Sequence, residues 1–133
     1  MKKALLALAI VLAFAATLPG DTSAHTKYIS WSSYGFSSGS EQATFSSSTY
    51  ASGPTDRLWV AAKLQYFDWS CTCWRNLFAL GAESCEDCTL IKTGGTVTIQ
   101  RYGGINCRRV RGVHGGYHGN STVGNSFSGA VCK

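Results

Sequence analysis

"INCRRVRGVHGGYHGNST" (Ile105–Thr122) is the stretch of this chain that decides its fold. It contains Cys107 and then Gly119-Asn120, a pair of residues that favours tight turns. If the segments around Cys107 and Cys132 are the two arms of one hairpin with its turn at Gly119-Asn120, residues whose numbers sum to 239 face each other. Cys107 then lies opposite Cys132, close enough for a cross-strand bridge. We therefore expect a hairpin that is closed by a Cys107–Cys132 disulfide.

Strand patterns continue outward from this hairpin. "RLWVAAKLQYF" (Arg57–Phe67) carries apolar residues at every second position, and "GTVTIQRYGG" (Gly95–Gly104) is rich in β-branched residues between glycine pairs. About seven such stretches, separated by Gly, Ser or Asn, predict an all-β fold, a small disulfide-stabilised antiparallel sandwich or barrel. The others are "KYISWSSYGF" (Lys27–Phe36), "QATFSSSTY" (Gln42–Tyr50), "INCRRVRGV" (Ile105–Val113) and "STVGNSFSGAVC" (Ser121–Cys132).

One segment does not show this strand pattern. "CWRNLFALGAES" (Cys73–Ser84) has Leu77, Leu80 and Ala82 at a spacing that fits a helix. It could equally be a loop that is tied down by disulfides.

The N-terminus has the order of a secretory signal peptide. Lys2 and Lys3 precede an apolar run, Ala4–Leu18, which ends at Pro19-Gly20 and is followed by the small residues Thr22-Ser23-Ala24. The run is shorter than the ~20 residues needed to span a bilayer. We expect cleavage after Ala24, which leaves one secreted β domain, His25–Lys133, in the extracellular space or the cell envelope.

Six cysteines lie in this mature region: Cys71, Cys73, Cys85, Cys88, Cys107 and Cys132. The C-x-C and C-x-x-C pairs have a spacing that a zinc site could use, and C-x-x-C is also typical of thioredoxin-like redox pairs. In an exported protein an even number of cysteines instead favours disulfides. We expect three, with the four cysteines other than Cys107 and Cys132 paired among themselves.

Charge is unevenly distributed along the mature chain. Thr89–Lys133 has six basic residues and no carboxylate, whereas His25–Cys88 has a net charge of −2. A basic half suggests an anionic partner, although a net positive charge also simply keeps a small exported domain in solution.

Four arginines and two tyrosines of the basic half are the predicted anion-binding residues. On a strand, Arg109 and Arg111 share a face and Arg108 points to the other. Guanidinium groups bind phosphate, sulfate and carboxylate oxygens in pairs, and tyrosines can stack on sugars or bases. The full set is Arg101, Arg108, Arg109, Arg111, Tyr102 and Tyr117. It favours a non-enzymatic binding or antimicrobial-type protein that contacts a cell surface, polysaccharide or nucleic acid; the alternative is a solvated hairpin face.

Histidines give two further alternatives. His114 and His118 could be the acid and base of a secreted hydrolase or ribonuclease-like enzyme. As metal ligands they are less suited, because on a straight strand they lie ~13 Å apart, too far to share one ion. After cleavage His25 would offer both an amine and an imidazole, which resembles the copper-binding histidine brace of secreted copper oxygenases and copper-carrier proteins. That resemblance implies a copper site with His114 or His118 as a further ligand. The favoured expectation is that no metal or other cofactor is bound. Asn120-Ser121-Thr122 is in addition a glycosylation sequon.

Overall fold

Every regular element of this protein is a β-strand within residues 29–53, 55–100 and 103–133, which the computed structural model describes. The strands are β1 (Ile29–Ser38), β2 (Gln42–Ala51), β3 (Arg57–Asp68), β4 (Cys73–Glu86), β5 (Leu90–Thr98), β6 (Cys107–His118), β7 (Asn120–Phe127) and β8 (Val131–Cys132). They form two antiparallel sheets, β1-β2-β5 and β4-β3-β6-β7, with the short β8 beside β6. The all-β prediction is confirmed. Six of the seven long strands overlap stretches that the sequence predicts as strands, although β5 begins at Leu90 and not at Gly95, and β4 occupies the segment for which a helix or a loop is expected.

Several predicted features fall outside these ranges. The signal peptide Met1–Ala24, His25, Arg101 and Tyr102 lie outside the described residues. Within the described ranges, no helix is long and apolar enough to cross a membrane.

The two sheets share a core that consists of two apolar clusters. In β3 the predicted period of two is observed, because Leu58, Val60, Ala62 and Leu64 are all buried. Ala62 and Leu64 belong to one cluster, with Phe45 of the first sheet, and Leu58 and Val60 belong to the other. Residues of both sheets therefore contribute to each cluster, which is what holds the sheets face to face.

The β6–β7 hairpin forms, but its register differs by one residue from the prediction. Arg111 pairs with Phe127, and His118 pairs with Asn120, so paired numbers sum to 238. Gly119 alone makes the turn, with a φ of 74° that a residue without a side chain adopts easily. Cys107 nevertheless pairs with Cys132, as predicted, because the segment between β7 and β8 contains one extra residue.

The segment that was expected to be a helix or a loop is the longest strand, β4. Its register against β3 shifts twice, between Ala62 and Lys63 and between Leu64 and Gln65. At these irregularities Leu80 and Leu77 have no partner in β3. Each extra residue interrupts the two-residue period of the strand. Together they leave Leu77 and Leu80 three residues apart, a spacing that resembles that of an amphipathic helix.

The three disulfides follow the predicted scheme. They join Cys71 to Cys73, Cys85 to Cys88 and Cys107 to Cys132. The C-x-C and C-x-x-C pairs are therefore short local bridges that leave no thiolate for zinc. The described elements, all strands, contain no βαβ unit of the kind in which a thioredoxin-like redox pair occurs. Only Cys107–Cys132 joins segments far apart in sequence, and it fastens β8 to β6.

Removing Cys107–Cys132 is expected to lower the free energy of unfolding more than removing Cys71–Cys73. The two bridges have sequence separations of 25 and 2 residues. In the chain-entropy description the longer loop contributes about 3.5 kcal/mol and the shorter roughly 1–2 kcal/mol. Urea unfolding of Cys107→Ser/Cys132→Ser and Cys71→Ser/Cys73→Ser variants measures both losses. Equal losses would contradict the ranking.

Candidate functional site

Strand β6 presents its arginines on alternate faces of the second sheet. Val110 and His114 point into the core, whereas Arg109 and Arg111 point to the outer face. Arg108 lies on the inner side and is only 8% exposed. Of the predicted anion-binding residues, the structure brings Arg109 and Arg111 together and separates Arg108 from them.

Two aromatic rings hold the guanidinium of Arg109 in place. Its Cζ atom lies 4.3 Å from the ring centroid of Trp74 and 4.5 Å from that of Phe127, both within cation–π range. Its Nε donates to Gln65 Oε1 at 2.9 Å, and Gln65 Nε2 donates in turn to Asn76 Oδ1 at 3.0 Å. Burial lowers the pKa of Arg109, but a guanidinium stays protonated at neutral pH. The result is a charged fork of fixed orientation.

A lysine from the neighbouring strand completes the group of cations. Lys63 of β3 is exposed and lies directly opposite Arg111 in the β3–β6 register. Residues in this position share a face, with Cβ atoms ~4.5–5.5 Å apart. Arg111 Nε donates to Asn125 Oδ1 at 3.1 Å. We call Lys63, Arg109 and Arg111, together with Trp74 and Phe127, the cation–aromatic cluster.

The cluster carries no internal counter-charge. The ion pairs of the described chain are Arg75–Asp68 at 2.7 Å, His118–Asp56 at 3.0 Å and Lys133–Glu41 at 3.4 Å. None of the described carboxylates forms an ion pair with Lys63, Arg109 or Arg111. Three positive charges therefore share one surface, and none of the carboxylates in the described residues neutralises them.

Tyr117 is not part of the cluster. It lies on the outer face of β6 opposite Arg57, six residues beyond Arg111, which is roughly 20 Å along a strand. Arg101 and Tyr102, the remaining predicted contacts, are outside the described residues. Of the described residues that were predicted to bind anions, Arg108 and Tyr117 therefore lie apart from Arg109 and Arg111.

Sequence reasoning missed three members of the cluster: Lys63, Trp74 and Phe127. They come from β3, β4 and β7, and only the strand register brings them to Arg109 and Arg111. The outward orientation of Lys63 was predictable, because the apolar period of β3 already places it on the outer face. That of Phe127 was not, since the register that the sequence predicts for the hairpin puts it on the inner face.

His114 lies in the core, where it is stacked against an indole ring. It is 0% exposed, and its ring lies 5.7 Å from that of Trp31 with an interplanar angle of 10°. Its Nδ1 is 2.9 Å from Thr49 Oγ1, and its Nε2 is 2.6 Å from Ser126 Oγ. Both ring nitrogens are thus engaged by hydroxyl groups, one from each of the two sheets.

The hydroxyl groups around His114 settle which nitrogen carries the proton. The Thr49 hydroxyl donates to the carbonyl of Trp59 at 3.0 Å, so its oxygen accepts from the Nδ1–H of His114. Nε2 is then the unprotonated nitrogen and accepts from the Ser126 hydroxyl. The imidazole is neutral and both of its hydrogen-bonding positions are filled.

The chain of hydroxyls continues from Ser126 across the core. Ser126 Oγ lies 2.5 Å from Ser33 Oγ, which lies 2.8 Å from Ser47 Oγ. Because the Ser126 proton points to His114, Ser126 accepts from Ser33 and Ser33 accepts from Ser47. Among the described residues, no buried side-chain nitrogen or oxygen lacks a hydrogen-bond partner. We call this set, from Ser47 to Thr49 through His114, the buried hydroxyl–imidazole chain.

The predicted acid–base pair of His114 and His118 is not formed as an open site. Burial lowers the pKa of His114 to about 4, and both of its nitrogens face protein hydroxyls. His118 lies at the end of β6, where its Nδ1 is 3.0 Å from Asp56 Oδ1. An external phosphate or glycosidic bond has no access to His114, so His114 and His118 do not form the acid–base pair that the hydrolase alternative names.

The metal alternatives depend on other groupings of residues. Within the described part of the chain, no three His, Cys, Asp or Glu side chains converge on a position that could hold an ion. Gly115-Gly116 belongs to strand β6 rather than to a turn, so it does not fold His118 back onto His114. The copper alternative also requires His25, which lies outside the described residues.

We expect the free energy of unfolding to decrease between about pH 6.5 and pH 4. The unfolded chain protonates His114 below its ordinary pKa of 6.5, whereas the native state keeps it neutral down to about 4. Stability from this group is therefore complete above pH 6.5, and roughly 3 kcal/mol is lost by pH 4. Urea unfolding across this pH range measures the decrease.

The matched variant for this pH dependence is His114→Gln, which removes the titrating group. It should be less stable than the wild type at neutral pH but should lose much less stability on acidification. Asp68, whose pKa is lowered below the ordinary 3.8 by hydrogen bonds from Ser70, followed by Arg75, loses its own stabilisation mainly below about pH 4, and it does so equally in both proteins. Identical pH profiles for the two proteins would show that His114 is not the cause.

Gly112→Ala is expected to destabilise the protein by about 1–3 kcal/mol through overpacking. A Cβ at Gly112 would overlap the Nε2 atom of His114 and the Oγ atom of Ser33. The control is Gly129→Ala, since a Cβ there meets nothing within 4 Å. Thermal unfolding should show a lower Tm for the first variant and an unchanged or slightly higher Tm for the second. A tolerated Gly112→Ala would mean that the buried chain has room to move.

Comparison with known proteins identified no relative whose function could guide the assignment. No protein-family model, curated protein or solved structure matches this chain. The functional argument therefore rests on the geometry of the residues themselves.

Proposed function

We propose that this protein is an exported, non-enzymatic binding protein that contacts an anionic polymer through the cation–aromatic cluster. The observation that carries the proposal is the direct opposition of Lys63 and Arg111, with Arg109 beside them and no described carboxylate paired with any of the three. The polymer is a polysaccharide, a nucleic acid or the anionic surface of a cell, and the last would give an antimicrobial-type activity.

The energetics of the cluster favour a partner of opposite charge. Like charges directly opposite each other in a sheet are destabilising, so Lys63 and Arg111 cost the isolated protein folding free energy. Arg109 is also partly desolvated, and the rings of Trp74 and Phe127 offset only some of that cost. An anion bound across the three cations would relieve both penalties.

The shape of the cluster suits a polymer better than a single ion. Arg109 and Arg111 are about 7 Å apart along β6, and Lys63 is about 5 Å from Arg111 across the sheet. Charges spread over an open sheet surface match acidic groups that repeat along a chain. Phe127 is exposed beside them and offers a ring face for sugars or bases.

Export is supported by the covalent structure. All six cysteines form disulfides, which persist in oxidising compartments and are rare in the cytosol. The signal-peptide pattern of Met1–Ala24 indicates the same destination. An anionic polymer outside the cell or in its envelope is therefore the expected partner.

Lys63→Gln tests the proposal against Lys92→Gln, which removes the same charge from an exposed strand position on the other sheet. Lys63→Gln should elute from a heparin column at clearly lower salt than the wild type, and Lys92→Gln should elute close to it. A Lys63→Gln/Arg111→Gln double variant should elute earliest, because a protein with fewer cationic contacts releases fewer counterions when it binds heparin. A neutral dextran column should retain none of the proteins.

A second measurement separates binding from folding. Lys63→Gln relieves the repulsion from Arg111, so its free energy of unfolding at low salt should rise by a few tenths of a kcal/mol while binding weakens. Lys92→Gln should leave stability unchanged. If Lys63→Gln and Lys92→Gln elute from heparin at the same salt, the cluster is only a solvated surface.

A further inference from the structure

Building on the proposed function, on which this inference rests, we propose that the bound polymer is a polysaccharide in which charged and uncharged sugars alternate. The charged sugars lie on the cation–aromatic cluster, and the indole of Trp59 carries an uncharged ring. Trp59 and Lys63 are four residues apart on β3, so they share the outer face of the second sheet at a separation of roughly 13 Å. A polymer that extends from the cluster along β3 therefore passes over Trp59.

The indole of Trp59 lies directly over Gly115, its partner on β6. A Cβ at Gly115 would overlap the Cζ2, Cε2 and Nε1 atoms of the indole, so the ring rests on a strand position that has no side chain. Gly115 is buried beneath it, whereas Trp59 as a whole is only half-buried. One ring face is therefore directed outward, and it offers a flat apolar surface of fixed orientation on which a sugar ring can stack.

The surface beside Trp59 leaves room for such a ring. A shallow hollow of about 390 Å³ lies between β3 and β4, where the small side chains of Ala61 and Ala82 are directly opposite each other. Ser84 borders the hollow and accepts from Arg57 Nη2 at 3.2 Å, so its hydroxyl proton is available for a sugar oxygen. Apolar contact combined with hydroxyl donors suits an uncharged sugar.

The charge of this face differs between the Trp59 end and the cluster. The exposed Arg57 lies directly opposite Glu86, and Glu83 borders the hollow. An anionic group on Trp59 would be close to these carboxylates, and like charges brought together at an interface are unfavourable. At Lys63, by contrast, none of the described carboxylates forms an ion pair with the cation. The acid group of the ligand therefore belongs at the cluster, and the ring on Trp59 is uncharged.

This distribution of charge favours one class among the anionic polymers. A nucleic acid has a phosphate on every nucleotide, and a polysaccharide with an acid on every sugar is charged just as regularly. Either one would bring an anionic group to Trp59 whenever another anionic group lies at Lys63. In an alternating polysaccharide the acidic sugar contacts Lys63 or Arg111 while its uncharged neighbour stacks on Trp59.

The test compares three probes that differ in the spacing of their charges. A hyaluronan oligosaccharide has a carboxylate on every second sugar, an oligogalacturonate of the same length has one on every sugar, and an oligodeoxythymidylate has a phosphate on every nucleotide. In ¹H–¹⁵N NMR spectra of the intact protein, the indole resonance of Trp74 reports on the cluster and that of Trp59 on the proposed stacking surface. Each is identified by its loss in a Trp→Phe variant. Hyaluronan should shift both resonances, and the other two probes should shift only that of Trp74. The resonance of Trp31, stacked in the core, should not move with any probe.

Variants of Trp59 separate stacking from a merely structural role. Trp59→Leu should weaken hyaluronan binding about tenfold through the lost stacking contact, and Trp59→Phe, which keeps an aromatic ring, should weaken it much less. Tyr50→Leu is the matched control, because it removes an exposed aromatic ring from a strand of the first sheet, and it should not change binding. Oligogalacturonate should bind Trp59→Leu as it binds the wild type, which also shows that the variant is folded.

The outcomes distinguish this inference from the proposed function. If no probe moves the Trp74 resonance, both are wrong. If hyaluronan moves Trp74 but not Trp59, or if oligodeoxythymidylate moves Trp59 as much as hyaluronan does, the alternating polysaccharide is excluded while binding at the cluster stands. Equal effects of Trp59→Leu and Tyr50→Leu on hyaluronan binding would also overturn the role of Trp59.

Discussion

The hydrogen-bond chain around His114 is the constraint on which this fold depends. Polar groups buried away from water are costly unless each is hydrogen-bonded, and here Ser33, Ser47, Ser126 and Thr49 satisfy one imidazole and one another. The chain lies between the two apolar clusters of the core and joins both sheets. A slip of one residue in any of its strands would leave several of these groups unpaired, so the chain fixes the register of the strands that it joins.

The outer surface follows from this buried register. Because His114, Gly112 and Val110 must face inward, the intervening residues Arg111 and Arg109 have to face outward on the same strand. The pairing of β3 with β6 then sets Lys63 opposite Arg111 whatever the electrostatic cost. The concentration of cations on the second sheet is therefore a consequence of how the strands around the core are paired, and the rest of the fold compensates for their mutual repulsion.

Local patterns in the sequence were sufficient for the parts of the fold that depend on neighbouring residues. Alternation predicted the inner face of β3 and the split of the β6 arginines, and the turn residues with the cysteine positions predicted the Cys107–Cys132 bridge. Two predictions were wrong because of single extra residues. The two irregularities in β4 give its sequence a helix-like spacing, and the extra residue after β7 shifts the register of the β6–β7 hairpin by one. The sequence predicted only catalytic or metal-binding roles for His114, because its partners Thr49 and Ser126 lie on other strands and no local pattern indicates them.

The core and the binding surface respond to acid in different ways. The core is small and partly polar, so it relies on disulfides for stability more than a larger apolar core would. Burial lowers the pKa of its imidazole to about 4, and protonation would place a charge among the hydroxyl groups of the buried hydroxyl–imidazole chain, none of whose described members is a carboxylate that could balance it. Lysine and arginine side chains, by contrast, remain charged throughout the acidic range. Acid therefore weakens the scaffold before it changes the cation–aromatic cluster. Any loss of the proposed polyanion binding between pH 6.5 and pH 4 would arise from unfolding and not from titration of that cluster.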